Sequence, residues 1–466
     1  MAATVASPPV PRLPIGRGRP GTVAAGLGVA PWLPSDIPVA WFRGSPSALH
    51  ASDTDVIART VAGGVEAGMP VVGVLGRIGL GPQSGLAALH GWGAVARALA
   101  CASGLVPSVL VIDGPCLGGP SLLLGLADIV VMTARAQAFV NAPATSARIT
   151  GSAVLDADLI GGSWVHGART GVADLVAADL DTALDLVADL LDLLPANNGE
   201  APRAGATVEP AERRSQRAAA AVPLDPRASY DVRDVIGDVV DDGTFLELRA
   251  RFGASVVTGL ARIAGTPVGL LANQPSQLAG ALDIDGSQKG GAFVRFCDAF
   301  SLPIVTLVDT PGFRPGRDQE WRGIVRHGAK LAFAYAEATV PRVCVVLRKA
   351  YGGAFIVMDC KSMGNDCALA WPTAEIAVMG ARGAVEILGR RELAAVPEGP
   401  DRDARRAALE ADYEAIHLSP AAALERGYID DVIDPADTRR AVAGALAALA
   451  AKRERLRPRR HDNIPL

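Results

Sequence analysis

The chain has 466 residues, half of them hydrophobic and a fifth charged, with a formal net charge of −4. That length asks for about two or three cores rather than one, and the slightly acidic balance excludes a basic groove for nucleic acid. No apolar run reaches the roughly 20 residues of a membrane span and the N-terminus has no signal-peptide run, so a cytoplasmic chain without membrane insertion is expected.

Residues 1–35, rich in Pro, Gly and Ala without periodicity, read as a loose arm. IPVAWFR from Ile37 is the first expected strand. Asp53 to Ala67 alternates at helical spacing, MPVVGVL from Met69 is a strand, Ala87 to Ala102 is a second amphipathic helix, and a strand starts at Val106. Leu180 to Leu194 is a helix ended by Pro195 and the turn Asn197-Asn198-Gly199. This first domain spans 36–195, and 196–229, mixing Pro, Gly and charge, reads as a linker to a second domain over 230–466. There the pattern predicts a helix over Val232 to Val240, then strands at Phe245 to Glu247, Val257 to Ile263, Pro267 to Ala272 and Pro303 to Val308. Trp321 to Ala338 is a helix, Arg342 to Leu347 and Glu375 to Val378 are strands, and helices over Ala404 to Ile416 and Asp437 to Lys452 close the chain. Strands alternating with helices imply an α/β fold with parallel strands and crossover helices throughout.

One stretch occurs twice. VPSVLVIDGPCLGG from Val106 returns as VPRVCVVLRKAYGG from Val340, an offset of 234 (340 minus 106), and the strands at Met69 and Leu302 repeat at 233 (302 minus 69). A Gly-Gly pair therefore follows the same strand in two related domains. Glycines between a strand and a helix let a ligand approach bare amides. Two N–H groups aimed at one point form an oxyanion hole, worth ~2.7 to 4 kcal/mol per donor where it holds a developing enolate. A lone Gly-Gly also serves as a close-packed turn, but two equivalent turns suit a reaction between two carbonyl groups. No Ser/His/Asp set or carboxylate pair stands near either turn. The six cysteines (Cys101, Cys116, Cys297, Cys344, Cys360, Cys367) form no CxxC pair or Cys/His set of zinc spacing, so reduced, mainly buried thiols and no metal are expected.

The segments at 272–300, 307–341 and 348–388, with the terminal HDNIPL, carry a resemblance to a known family. They include ANQPSQLAGALDIDGSQKGG, LVDTPGFRPGRDQEW and RKAYGGAFIVMDCKSMGNDCALAWP. The chain resembles the carboxyltransferase (beta) subunits of biotin-dependent acyl-CoA carboxylases, more weakly in the first domain through DGPCLGGPSLLLGLAD and LPANN. The resemblance implies two tandem crotonase-like ββα-superhelix domains and a site between the N-domain of one subunit and the C-domain of another, hence a homo-oligomer, a dimer or a trimer of dimers. It implies that carboxybiotin, carried on a separate biotin carboxylase/carrier subunit, gives up CO2 while its ureido oxygen takes a proton from the α-carbon of a short acyl-CoA, whose enolate attacks the CO2. Gly353 and Ala354 would bind the ureido oxygen, with Gly352 and Phe355 lining the same turn, and Gly118 and Gly119 would bind the thioester oxygen. Ile356 stands where propionyl-type members tend to have Asp and acetyl-type members an apolar residue. Arg77 would reach a CoA phosphate or form a structural ion pair.

Departures lie in the first domain. Gly119 is followed by Pro120, which has no N–H, SPSALH (45–50) replaces a glycine-rich loop, and GRIGLGPQSG (76–85) keeps only Arg77 of a Gly-Gly-Ala-Arg loop. They leave two alternatives open: a thioester decarboxylase or specialised-pathway relative, and a noncatalytic assembly subunit. Lys289 reads equally as a family lysine or a solvated helix residue, Asp309 as a turn cap, and His90 and His327 as packed or exposed helix residues. Trp371-Pro372 reads as packing, and the C-terminal arginines from Arg453 to Arg460 as a subunit contact or solvated tail.

Overall fold

The computed structural model describes residues 23–44, 49, 51–79, 85–153, 156–205 and 209–465. Most of the loop at 45–50, the middle of the loop at 76–85 and the first part of the arm lie outside these residues. The chain divides into two units, one running to Arg203 and taking in Arg249–Arg251 and Ala299–Ser301, the other formed by the rest from Ala204.

The first unit carries β1 (Val23–Gly28), β2 (Val39–Gly44), β3 (Val71–Leu75), β4 (Ser108–Ile112), β5 (Pro115–Leu117), β6 (Ile129–Thr133), β7 (Gln137–Phe139) and β8 (Leu175–Ala177). Its main sheet has the order β1-β2-β3-β4-β6-β8, and β5 pairs with β7 apart from it. In β3, β4 and β6 every residue is buried, as expected for parallel strands covered on both faces. The helices Ala51–Ala67 and Gly85–Ala102 provide one such cover, with Val56, Ile57, Val61, Trp92, Val95 and Leu99 packed into the core. The LPANN stretch ties the end of the unit back to its middle, since Asn197 Nδ2 donates to Gly68 O at 3.0 Å and the Asn198 amide to Leu105 O at 3.0 Å.

The second unit carries β9 (Leu246–Leu248), β10 (Val256–Ile263), β11 (Thr266–Asn273), β12 (Ile304–Thr310), β13 (Arg342–Tyr351), β14 (Cys367–Ala370), β15 (Glu375–Ala377) and β16 (Asp431–Val432). The order is β16-β14-β13-β12-β11-β10-β9, with β15 joined to the far end of β13. Trp371 is fully buried, and its Nε1–H donates to Thr438 Oγ1 at 2.9 Å, fastening the last helix, Thr438–Leu449, to the sheet.

Four expectations are corrected. The stretch taken as a loose arm contains β1, antiparallel to β2 and at the edge of the sheet. The strands are not parallel throughout, because β9, β10 and β11 form an antiparallel meander, its last two strands linked by the tight Ala264-Gly265 turn. The stretch 196–229 is not bare linker: it holds the helix Gln216–Ala221, with Ser215 and Ala218 buried and the Ala218 amide donating to Asp238 Oδ2 at 2.9 Å. The helix expected over Trp321 to Ala338 is two, Arg317–Trp321 and Ile324–Glu337, separated at the left-handed Gly323.

Candidate active site

Both glycine turns are built by the same device. In the first unit β5, in parallel register with β7, runs into Gly118 and then the 3₁₀ turn Gly119–Gly125. In the second, the end of β13 (Lys349 to Tyr351), in parallel register with β15, runs into Gly352 and the helix Gly352–Val357. Gly118 (φ 78°) and Gly352 (φ 58°) are equivalent at the offset of 234, and both take the left-handed conformation that a side chain would strain. The chain thereby reverses from extended to helical within one residue.

What the turns offer differs. In the second unit, Gly353 and Ala354 are the second and third residues of their helix, whose first N–H groups have no intrahelical acceptor, and neither amide has a partner among the described residues. Gly353 is exposed, and the edge of the Phe313 ring lies 3.6 Å from where its Cβ would be. Phe355 is half-buried, and Ile356, 48% exposed, carries an apolar side chain outward one turn on. In the first unit, the Gly118 amide donates to Phe139 O at 2.8 Å, so the donor pair expected at Gly118-Gly119 is reduced to one. Pro120 has no N–H, and the Ser121 amide and hydroxyl both bond Gly118 O, at 3.0 and 2.8 Å. Gly119 alone keeps an amide without an acceptor among the described residues, and it faces open space: a Cβ there would meet no atom within 4 Å.

Arg77 is exposed and lies on the segment that edges this turn, where the Ile78 amide donates to Pro115 O at 3.0 Å and Ile78 O accepts from the Leu117 amide at 2.9 Å. Lys289 is not solvated: it is 1% exposed, with Nζ donating to Phe252 O at 3.1 Å and Val256 O at 2.6 Å, a structural tie. Half-buried His327 sits one residue before Gly328, which packs on Phe313, and burial together with Lys330, Arg326 and Arg322 lowers its pKa and favours the neutral ring. His90 is exposed.

Side chains around the second turn are held neutral or paired. The Tyr351 hydroxyl donates to Glu375 across the β13–β15 pair, and burial first and that carboxylate second push the phenol far up. Burial lowers the pKa of Lys349, two residues before. At the first turn burial raises the Cys116 thiol to about 12, so it is a packed thiol rather than a nucleophile. The ionisable side chains beside the second turn are thus tied to partners or shifted by burial, and backbone amides are the chemical groups both turns present.

A family model described as the carboxyl transferase domain matches residues 39–464. The chain belongs to that carboxyltransferase family. The propionyl-CoA carboxylase beta chain of Saccharopolyspora erythraea is 47% identical to this carboxyltransferase over 412 residues, spanning 86% of this chain and 75% of that one. The methylmalonyl-CoA carboxyltransferase 12S subunit of Propionibacterium freudenreichii subsp. shermanii is 45% identical over 385 residues, spanning 82% and 72%. A transcarboxylase 12S crystal structure, a hexamer assembly with methylmalonyl-coenzyme A and methylmalonic acid bound, superposes with a TM-score of 0.90 at 39% identity, covering 96% of this chain and 85% of that one. The two units are thus tandem crotonase-like domains, and the chain is an enzyme, the carboxyltransferase component of an acyl-CoA carboxylase, which transfers a carboxyl group to an acyl-CoA. Among the described residues no helix is long and apolar enough to cross a membrane.

Three supports of these turns carry little or no mark in the sequence of this carboxyltransferase. Asp113, at the corner between β4 and β5, accepts from Thr133 Oγ1 at 3.0 Å and Arg135 Nε at 2.9 Å. His166 Nε2 donates to Ala138 O at 2.9 Å, fixing the strand whose next carbonyl holds Gly118. The edge of the Phe313 ring stands beside Gly353. The only signal for Phe313 is its place in DTPGF; for His166 there is none, since its partner is a backbone carbonyl 28 residues away.

Proposed function

We infer that this carboxyltransferase takes its carboxyl group from carboxybiotin on a separate biotin carboxylase/carrier subunit and delivers it to acetyl-CoA or propionyl-CoA. The observation that carries the reading is the pair of unpartnered amides at Gly353 and Ala354. A ureido ring has one carbonyl oxygen and two flat faces, and this turn offers two N–H groups for the oxygen with the Phe313 ring beside them, so the residues present fit the group. When bound there, carboxybiotin supplies CO2 and, at its ureido oxygen, the base for the α-proton. The protein's part is electrostatic. Gly353 and Ala354 N–H steady the negative charge on that oxygen, and Gly119 N–H receives the thioester oxygen as its α-carbon loses a proton. With one donor in place of two, the first turn polarises the thioester less. Gly352 and Phe355 shape the biotin turn, Ile356 favours acetyl or another short apolar acyl chain over a polar one, and Arg77, exposed on the segment that edges the first turn, serves a CoA phosphate.

Each unit supplies one turn, and apolar side chains stand exposed around both: Leu122, Leu126 and Val140 beside the first, Trp321, Val325, Ile356 and Val378 beside the second. Such rims mark surfaces that another chain covers. They support a homo-oligomer, a dimer or trimer of dimers, in which the turn of one copy meets the other turn of its neighbour.

The test is carboxylation by the purified chain with a biotin carboxylase/carrier partner and a panel of acyl-CoAs. Product with acetyl-CoA or propionyl-CoA is expected, and absence of product with every thioester would sink the reading. Gly353→Pro removes one donor and is expected to abolish transfer while the circular dichroism spectrum stays that of the native chain; retained turnover would reject the biotin turn.

A further inference from the structure

The geometry points to Asp309 as the positioning residue of the second glycine turn: its carboxylate fills a gap in the β12–β13 ladder and so sets the direction in which the Gly353 and Ala354 amides leave β13. This rests on the reading of that turn as the biotin site.

β12 and β13 pair residue for residue from Ile304↔Arg342 to Val308↔Val346, and the pairing resumes at Thr310↔Ala350. Over that step β12 advances two residues (310 minus 308) and β13 advances four (350 minus 346). Extra residues in a bulge lose their ladder partners, bend the strand and re-aim the residues beyond it. Here the partners are replaced by one side chain. Asp309 Oδ1 accepts from the Lys349 amide at 3.1 Å, and Oδ2 accepts from Arg348 Nε at 3.0 Å. The carboxylate is itself fixed, because the Asp309 amide donates to Asn273 Oδ1 at 3.2 Å and Asn273 Nδ2 donates to Gly280 O at 3.3 Å. Asp309, Asn273 and Arg348 are 1%, 0% and 3% exposed, so no water can substitute for these bonds.

Arg348 extends the brace. Its Nη1 donates to the carbonyls of Asp225 at 3.0 Å and Ala228 at 2.9 Å, and its guanidinium lies 5.1 Å from the centre of the Tyr230 ring. Past the bulge β13 changes neighbour, from β14 to β15, and the glycine turn begins three residues after the Lys349 amide. The first unit handles the same corner differently. The counterparts of Leu347 and Arg348 are Asp113 and Gly114, and the strand is cut there into β4 and β5 instead of bulging. The ladder-filling carboxylate belongs to the turn that keeps two donors.

A carboxylate that only neutralised Arg348 would stabilise the fold without favouring one substrate. A carboxylate that aims the turn acts through the Lys349 amide, and its loss falls on biotin alone. The two are separated in the reverse reaction of the full chain, in which malonyl-CoA and free biotin give acetyl-CoA and carboxybiotin. Two double variants are compared, both carrying Arg348→Met so that no buried cation is left unpaired and the loss of its carbonyl contacts is common to both. With Asp309→Ala the Lys349 amide has no acceptor; with Asp309→Asn an amide oxygen can take its place. The Ala variant is expected to raise the KM for biotin about tenfold or more, the scale of a small misplacement of a binding group, with the KM for malonyl-CoA unchanged, and the Asn variant to restore the biotin KM. Equal biotin KM in the two variants, a parallel change in both substrates' KM, or an unfolded Ala variant beside a folded Asn variant would each overturn the assignment. Gly353→Pro in the same assay keeps the underlying reading separate. If it leaves transfer intact, the biotin turn is wrong; if it abolishes transfer while the two double variants behave alike, the turn stands and the role of Asp309 falls.

Discussion

Pro120 and Ala354 occupy the same place in the two turns, and only Ala354 can donate a hydrogen bond. The offset of 234 makes this difference visible in the sequence, but the fate of Gly118 is not: its amide is taken by Phe139 O, a carbonyl brought alongside by the β5–β7 pairing. A backbone bond between strands 21 residues apart leaves no mark in residue identity. The first turn therefore presents the single N–H of Gly119, and a second donor is within reach by substitution. Pro120→Ala restores an amide where Ala354 has one, and kcat for acyl-CoA carboxylation is expected to rise at least about tenfold, less than the ~10²–10³ that one well-aimed oxyanion donor contributes. Steady-state kinetics decide the matter: a kcat at or below that of the parent chain shows that this position faces no developing charge.

At the scale of elements, the strands and crossover helices were legible because each is a run of β-branched residues or an apolar stripe of standard period. What the sequence hides is pairing: β1 inside a Pro/Gly-rich arm, the β9–β11 meander, and the bulge that splits β13 between two neighbours. Each depends on contacts between segments that carry no mutual signature. The ties between strands also bear on pH. Asp128, just before β6, accepts from the Ser108 amide at 2.8 Å and the Ser108 hydroxyl at 2.7 Å, joining the starts of β4 and β6. Burial raises its pKa from 3.8 to about 6 against the opposing pull of those bonds, with Asp174 adding a little. A carboxyl whose pKa is raised on folding favours the protonated native state, so its contribution is full below about pH 4 and is lost as pH rises through about 6. Solvent reaches the half-buried group, which keeps the effect on the order of 1–2 kcal/mol. Asp128→Asn retains the acceptor and removes the titration. Thermal melts of the parent chain are expected to show this decline between pH 4 and 6.5 and the variant to lack it; identical pH profiles would refute the assignment to Asp128.

For the whole molecule, two units of one fold each carry one glycine turn, and the exposed apolar side chains around both turns have the character of covered surfaces. Leu122 is 61% exposed and Val140 59%, so Glu at both positions leaves the core untouched. The Leu122→Glu, Val140→Glu variant is expected to show a lower mass by light scattering and greatly reduced activity with an unchanged melting temperature. A variant that keeps both the mass and the turnover of the parent would show that these side chains face no neighbour. The inequality of the two turns has a consequence for small molecules. Gly353 and Ala354 present two amide donors with the edge of the Phe313 ring beside them, against a single donor at Gly119. If the second turn is the biotin site, a compound anchored there is expected to compete with the carboxyl donor rather than with the thioester.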